Sequence, residues 1–148
     1  MTKYEPSAAE WAAVRRDLGV LAGLEYPREA CGFVYLLDED QPAGSGLICE
    51  AVANIDSWPF ARFKIAEEDT RRALATRRLV GVWHSHPADP AVPSEVDTES
   101  APHGIFYVIY AVQDEDLAVF LQEEGQLVPQ TIVMPGPDEA ALDIQVRG

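Results

Sequence analysis

The segment VGVWHSHPADPAVPSEVDTES, residues 80–100, carries two histidines one residue apart, then prolines, a serine and an aspartate. Side chains in an extended strand alternate between faces, so His84 and His86 project from one side with Cα atoms about 7 Å apart. Two imidazoles so placed can converge on one ion. Pro87 cannot donate a ladder hydrogen bond and marks the strand exit, where functional loops commonly begin. Asp97 can return across that loop and complete a set of three ligands. Two neutral imidazoles and a carboxylate make a hydrolytic zinc site, whose fourth position is left for water. Zinc would lower the pKa of that water and polarise a carbonyl under attack. A further group, usually a glutamate, must then carry the proton to the leaving amine. The same ligand set holds ferrous iron in oxygenases, so it does not by itself select hydrolysis. The segment also has a purely structural reading: Ser94-x-x-Asp97 after Pro93 matches a helix capping box, and histidines near a strand end can be ordinary surface residues.

The elements that must position these groups follow from periodicity. Between Ser7 and Leu24, Trp11, Val14, Leu18, Leu21 and Ala22 recur at helical spacing, with Ser7 as N-cap and Glu10 as its capping-box partner. Cys31 to Leu37 is a compact apolar run ended by DEDQPAGSG, which has the composition of a turn, and a second strand is expected over Leu47 to Val52. Asn54 to Ile65 has aromatics without periodicity and is expected to be an irregular connection. AEEDTRRALATRR predicts a helix with acids in its first turn and arginines in its last, the polarity the helix dipole prefers. Arginines 71, 72, 77 and 78 are read as a solvated helical face rather than an anion site. LVGVWHSH is the next strand, followed by a polar loop and a short helix around Ser94 to Glu99. IFYVIYAV, LAVFLQ and QLVPQTIV predict three further strands, with Pro129 placing the last at an edge or bulge. The order α-β-β-α-β-β-β-β predicts an α/β fold: a single domain over residues 1–135, its mixed β-sheet flanked by helices, with a tail at 136–148.

Composition narrows the partners. A chain of 148 residues suits one domain with a conventional core. Its formal charge of -14 repels a phosphate backbone, so no nucleic acid partner is expected. The acidity serves solubility or steers a basic protein partner, and composition does not separate the two. With neither a signal-peptide h-region nor an apolar stretch long enough to span a bilayer, the chain is expected to be cytoplasmic and without a membrane partner. Cys31 and Cys49 are not spaced as a paired motif, so reduced thiols are expected.

HSHPADPAVPSEVD resembles the signature of the JAMM/MPN+ zinc metallopeptidases, in which H-x-H-P, a short loop and S-x-x-D follow an upstream glutamate. YPREACGF is similar to the glutamate-bearing start of the first strand in small prokaryotic members and puts that glutamate at Glu29. Without the resemblance, Glu29 is not distinguishable from Glu25 or Glu67. The resemblance implies a cytidine-deaminase-like α/β fold, zinc (Zn2+) held by His84, His86 and Asp97, water on the zinc activated by Glu29, and Ser94 hydrogen-bonding the tetrahedral oxyanion. A neutral hydroxyl aimed at developing charge stabilises the transition state more than the ground state. It further implies cleavage of a peptide or isopeptide bond at the C-terminus of a ubiquitin-like or sulfur-carrier protein. Two alternatives stay open: a phage tail-assembly peptidase module, and a scaffold that keeps the fold without turnover. Asn54, Phe63 and Ile65 look similar to prokaryotic members of either setting. Only TESAPHG separates Asp97 from the strand at Ile105, which leaves no room for the insertions of the eukaryotic deubiquitinating members. Cys31 is read as a buried small hydrophobe rather than a nucleophile, Trp83 as core, and His103 as a loop histidine without an assigned role.

Overall fold

A computed structural model describes residues 5–37, 46–94 and 104–132. Helix α1 spans Ala8–Glu25, and its start is the expected capping box: the Glu10 amide donates to Ser7 Oγ at 3.1 Å and the Ser7 amide donates to Glu10 Oε1 at 3.0 Å. Trp11, Val14, Leu18 and Ala22 form its buried stripe. The other elements are β1 (Cys31–Leu36), β2 (Leu47–Val52), α2 (Glu67–Ala75), β3 (Leu79–His86), β4 (Phe106–Ala111), β5 (Asp116–Glu123) and β6 (Gln126–Pro129). The strands make a mixed sheet in the order β2-β1-β3-β4-β5-β6, in which only β3 and β4 run parallel. Pro129 ends the edge strand β6, where a missing N–H costs no ladder bond in the interior. Among the described residues, no helix is long and apolar enough to cross a membrane.

Alternation sorts the sheet into two faces. Val34, Leu36, Trp83, Val108, Tyr110 and Val119 pack under α1. Phe33 and Tyr35 meet Ala73 of α2 on the opposite face, where Tyr107, Ile109, Ala111 and Phe120 also cluster. With both faces covered, β1 is buried along its whole length, which explains its unbroken apolar run. Gly32 of β1 permits an unusual crossing. The indole of Trp83 on β3 reaches past it and donates to the Glu50 carbonyl of β2 at 3.0 Å. A Cβ on Gly32 would stand 1.8 Å from that carbonyl oxygen and 2.9 Å from the indole nitrogen, so no other residue fits.

The second helix is shorter than its charge pattern predicts. It stops at Ala75 because Thr76 Oγ1 donates back to the Ala73 carbonyl at 2.8 Å and accepts the Arg78 amide at 3.1 Å, while Arg77 turns to φ 60. Arg77 and Arg78 therefore lie past the helix rather than in its last turn. Arg71 pairs with Glu67 at 3.3 Å, Arg72 with Glu50 at 3.3 Å, and the Arg78 guanidinium lies 5.8 Å over the Tyr35 ring. The expected helix around Ser94 to Glu99 falls almost wholly outside the described residues, as do most of the turn after Leu37 and the tail from 136.

Candidate metal centre

The end of β3 brings its two histidines together. The Nε2 atoms of His84 and His86 lie 3.0 Å apart, in rings that are 0% and 8% exposed. His86 Nδ1 is 2.8 Å from the Pro90 carbonyl. A carbonyl only accepts, so Nδ1 carries the proton, and in the neutral ring Nε2 presents a lone pair towards His84. The facing His84 nitrogen must then donate an N–H to it, or the two lone pairs must share a cation. Two ligands on a tetrahedral zinc, each about 2.0–2.1 Å from the ion, lie about 3.3 Å apart. The pair fits that geometry after a slight opening. The His86–Pro90 bond is the kind of outer contact that orients a ligating imidazole and raises its basicity. His84 is held by ring contacts, stacked on Phe63 with centroids 4.4 Å apart and tilted against Tyr107 at 5.4 Å.

The neighbouring strand supplies the acid. β1 and β3 are antiparallel with Cys31 opposite His84, and the Ser85 amide donates to the Ala30 carbonyl at 2.9 Å. Continuing that register one step further sets Glu29 opposite His86, and Glu29 is buried at 6% exposure. The Cys31 thiol reports on the same neighbourhood. Burial pushes it up to about 12, with the negative charges of Glu29, Glu25 and Asp69 adding to the effect. A thiol so far from ionisation is no nucleophile at neutral pH, in agreement with the sequence reading of Cys31 as a buried hydrophobe. Trp83 is fully buried, also as expected.

The remaining expected residues lie on the chain that leaves β3. That loop is tied down where Pro90 accepts from His86, where Ala91 packs with Tyr107 and Ile109, and where Gln113 donates to the Pro87 carbonyl at 2.9 Å. Ser94 is the last described residue of this loop and is exposed. Asp97 and His103 lie outside the described residues. Among the described residues, no third His, Cys, Asp or Glu joins the two histidines in a cluster able to hold a metal.

The connection from Asn54 to Ile65 is irregular, as expected, yet it holds the site in a way that composition does not reveal. Asn54 makes four hydrogen bonds: Nδ2 donates to the carbonyls of Glu29 and Arg62, and Oδ1 accepts the amides of Asp56 and Lys64. The Glu29 amide donates to the Pro59 carbonyl at 2.7 Å. One loop thus grips the Glu29 peptide from both sides and lays Phe63 against His84. A local signal existed in the string Asn-Ile-Asp-Ser-Trp, where Asn54 and Asp56 each accept an amide two residues on. Ser85 was also passed over by sequence reasoning, since it faces away from the histidines.

The family model for prokaryotic homologs of the JAB domain matches residues 12–122. A protein of Thermus thermophilus, named a probable TtuB-protein conjugate cleaving protease, is 33% identical over 75 residues, which are 51% of this chain and 47% of that protein. The match therefore spans about half of the relative's length. Among solved structures, a protein of Desulfitobacterium hafniense superposes with a TM-score of 0.62 at 22% identity, covering 81% of this chain and 87% of the other. One from Salinibacter ruber gives 0.53 at 23% identity, covering 93% and 94%. Both support the fold alone. The element order, the histidine pair at the end of β3 and a family match over most of the chain lead to one conclusion: this chain belongs to the small prokaryotic JAB group of the JAMM/MPN family.

Proposed function

We propose that the chain is a zinc-dependent metallopeptidase that hydrolyses a peptide or isopeptide bond at the C-terminus of a ubiquitin-like or sulfur-carrier protein. The observation that carries this reading is the convergence of the His84 and His86 Nε2 atoms at 3.0 Å beside the buried Glu29. His84, His86 and Asp97 would hold the zinc. When bound, the ion supplies the Lewis acidity that polarises the scissile carbonyl and acidifies water. Glu29 takes the proton of the attacking water and returns it to the leaving amine. Glu29 is 6% exposed and its peptide is anchored by Pro59 and Asn54, which would hold the carboxyl group in place for that exchange. Ser94 would donate its hydroxyl to the oxyanion.

The substrate class is carried over from the Thermus thermophilus relative, whose name describes cleavage of TtuB-protein conjugates. The surface beside the site suits a protein substrate. Ile55, Trp58 and Phe60 are exposed at 51%, 59% and 55%, and Trp58 and Phe60 flank the proline that accepts the Glu29 amide. Exposed apolar side chains grouped in this way commonly mark an interaction site.

The test compares wild-type protein with Glu29→Ala on a fusion carrying a ubiquitin-like or sulfur-carrier protein, together with metal analysis of protein never exposed to chelators. Zinc near one equivalent in both, with cleavage by wild type and a loss of about 10²–10⁴-fold in the variant, is expected. Equal cleavage by both sinks the role of Glu29. Absence of bound zinc and of zinc uptake favours a scaffold that keeps the fold without turnover.

A further inference from the structure

We infer that Ser85, the residue between the two histidines, is a positioning residue for Glu29 that acts through the Ala30 peptide, an assignment that rests on the metallopeptidase reading above. Ser85 is 0% exposed and, by alternation, faces the α1 side of the sheet. Its amide makes the ladder bond expected of an antiparallel pair, donating to the Ala30 carbonyl at 2.9 Å. The reciprocal bond would run from the Ala30 amide to the Ser85 carbonyl. Here the Ala30 amide donates instead to Ser85 Oγ at 2.8 Å, in a buried contact. A side-chain oxygen stands off the strand axis on the face to which the side chain points, so the bond draws the Ala30 amide towards α1. The preceding residue is left to present its side chain to the opposite face, where the histidines lie.

The Glu29 peptide has other anchors, to Pro59 and Asn54, but these belong to the 54–65 connection. Ser85 ties the start of β1 directly to the strand that bears the histidines. It therefore sets the spacing between the proton carrier and the metal ligands by a contact of one hydroxyl with one amide. Catalysis is sensitive to such spacing, since a displacement of about 1 Å can cost about a hundredfold in rate.

The experiment uses zinc-loaded wild type, Ser85→Ala and Ser85→Thr, with kcat, KM, zinc affinity by chelator competition, and exchange of the Ala30 amide by NMR. Ser85→Ala is expected to keep zinc affinity and KM within about threefold, to lose about 10–100-fold in kcat, and to lose protection at Ala30. Ser85→Thr, which retains the hydroxyl, restores both kcat and protection. Should the alanine variant fail to fold, Ser85→Cys, a weaker acceptor, takes its place and gives an intermediate kcat. The inference is overturned if kcat stays within about twofold of wild type in the variant lacking the hydroxyl, or if zinc affinity falls in step with kcat, because Ser85 would then act on the histidines and not on Glu29. A wild type that cleaves nothing defeats the metallopeptidase reading instead. Ala30 exchange then decides the clasp alone: protection equal in wild type and Ser85→Ala overturns it.

Discussion

The end of β3 and the 54–65 connection meet at one site and are built on opposite principles. β3 is laddered on both edges, with one register shift against β1 at Val34/Tyr35, and its alternation delivers His84 and His86 to one face. The connection has no ladder. Its course is fixed by Asn54, whose amide group joins Glu29, Asp56, Arg62 and Lys64. The comparison teaches that the two histidines proposed as ligands come from periodic structure, whereas the placing of Glu29 and the packing of the His84 ring depend on a polar hub in aperiodic chain.

Three measurements bear on that contrast, from the largest effect down. His84→Ala removes a proposed ligand from the strand side and should abolish zinc binding at micromolar protein and all zinc-dependent cleavage, as read by metal analysis and product formation. Retained zinc at one equivalent would show that the strand end is not the ligand source. Asn54→Ala acts on the irregular side. It removes two part-buried and two exposed hydrogen bonds and should cost about 1–3 kcal/mol in denaturant unfolding. Zinc should still bind while kcat falls about tenfold, since Glu29 loses an anchor and the ligands do not. An Asn54→Ala protein that loses zinc and activity together would dissolve the distinction between the two regions.

The smallest effect concerns the thiols. Cys31 and Cys49 are both pushed up to about 12 from 9.0, chiefly by burial, with Glu29 adding to the first and Asp17 to the second. The folded protein therefore keeps protons that the unfolded chain releases above pH 9. The stabilisation is whole below that pH and is lost as pH rises through about 12. Urea midpoints measured from pH 8 to 11 should fall, and Cys31→Ala should flatten part of the slope. An unchanged slope would place Cys31 in a wetter setting than its register beside His84 implies.

The strongly periodic parts of this fold were legible in the sequence. The Ser7–Glu10 capping box and the bounds of β2 and β3 were read correctly because local hydrogen bonding and alternation decide them. The end of α2 was misread because charge patterning continues through Arg77 and Arg78 after the backbone has turned away. Of the candidate site, the histidine pair was visible from spacing, while Glu29 stood out only through the family resemblance. Ser85 left little trace, for its partner lies 55 residues away and is a main-chain amide, which imposes no residue type on the far side. Asn54 stood out only through the family resemblance, and its bond to Glu29, 25 residues away, was not visible in it.

The bare backbone at Gly32 gives the sheet a cross-tie. Through that gap Trp83 fastens the strand of the histidines to the outermost strand β2, over the top of the strand between them. Sheet margins ordinarily fray first. Here any peeling of β2 must pull on an indole whose next neighbour in the chain is His84, so loosening at the rim is felt at the centre, and rigidity at the rim is lent to it.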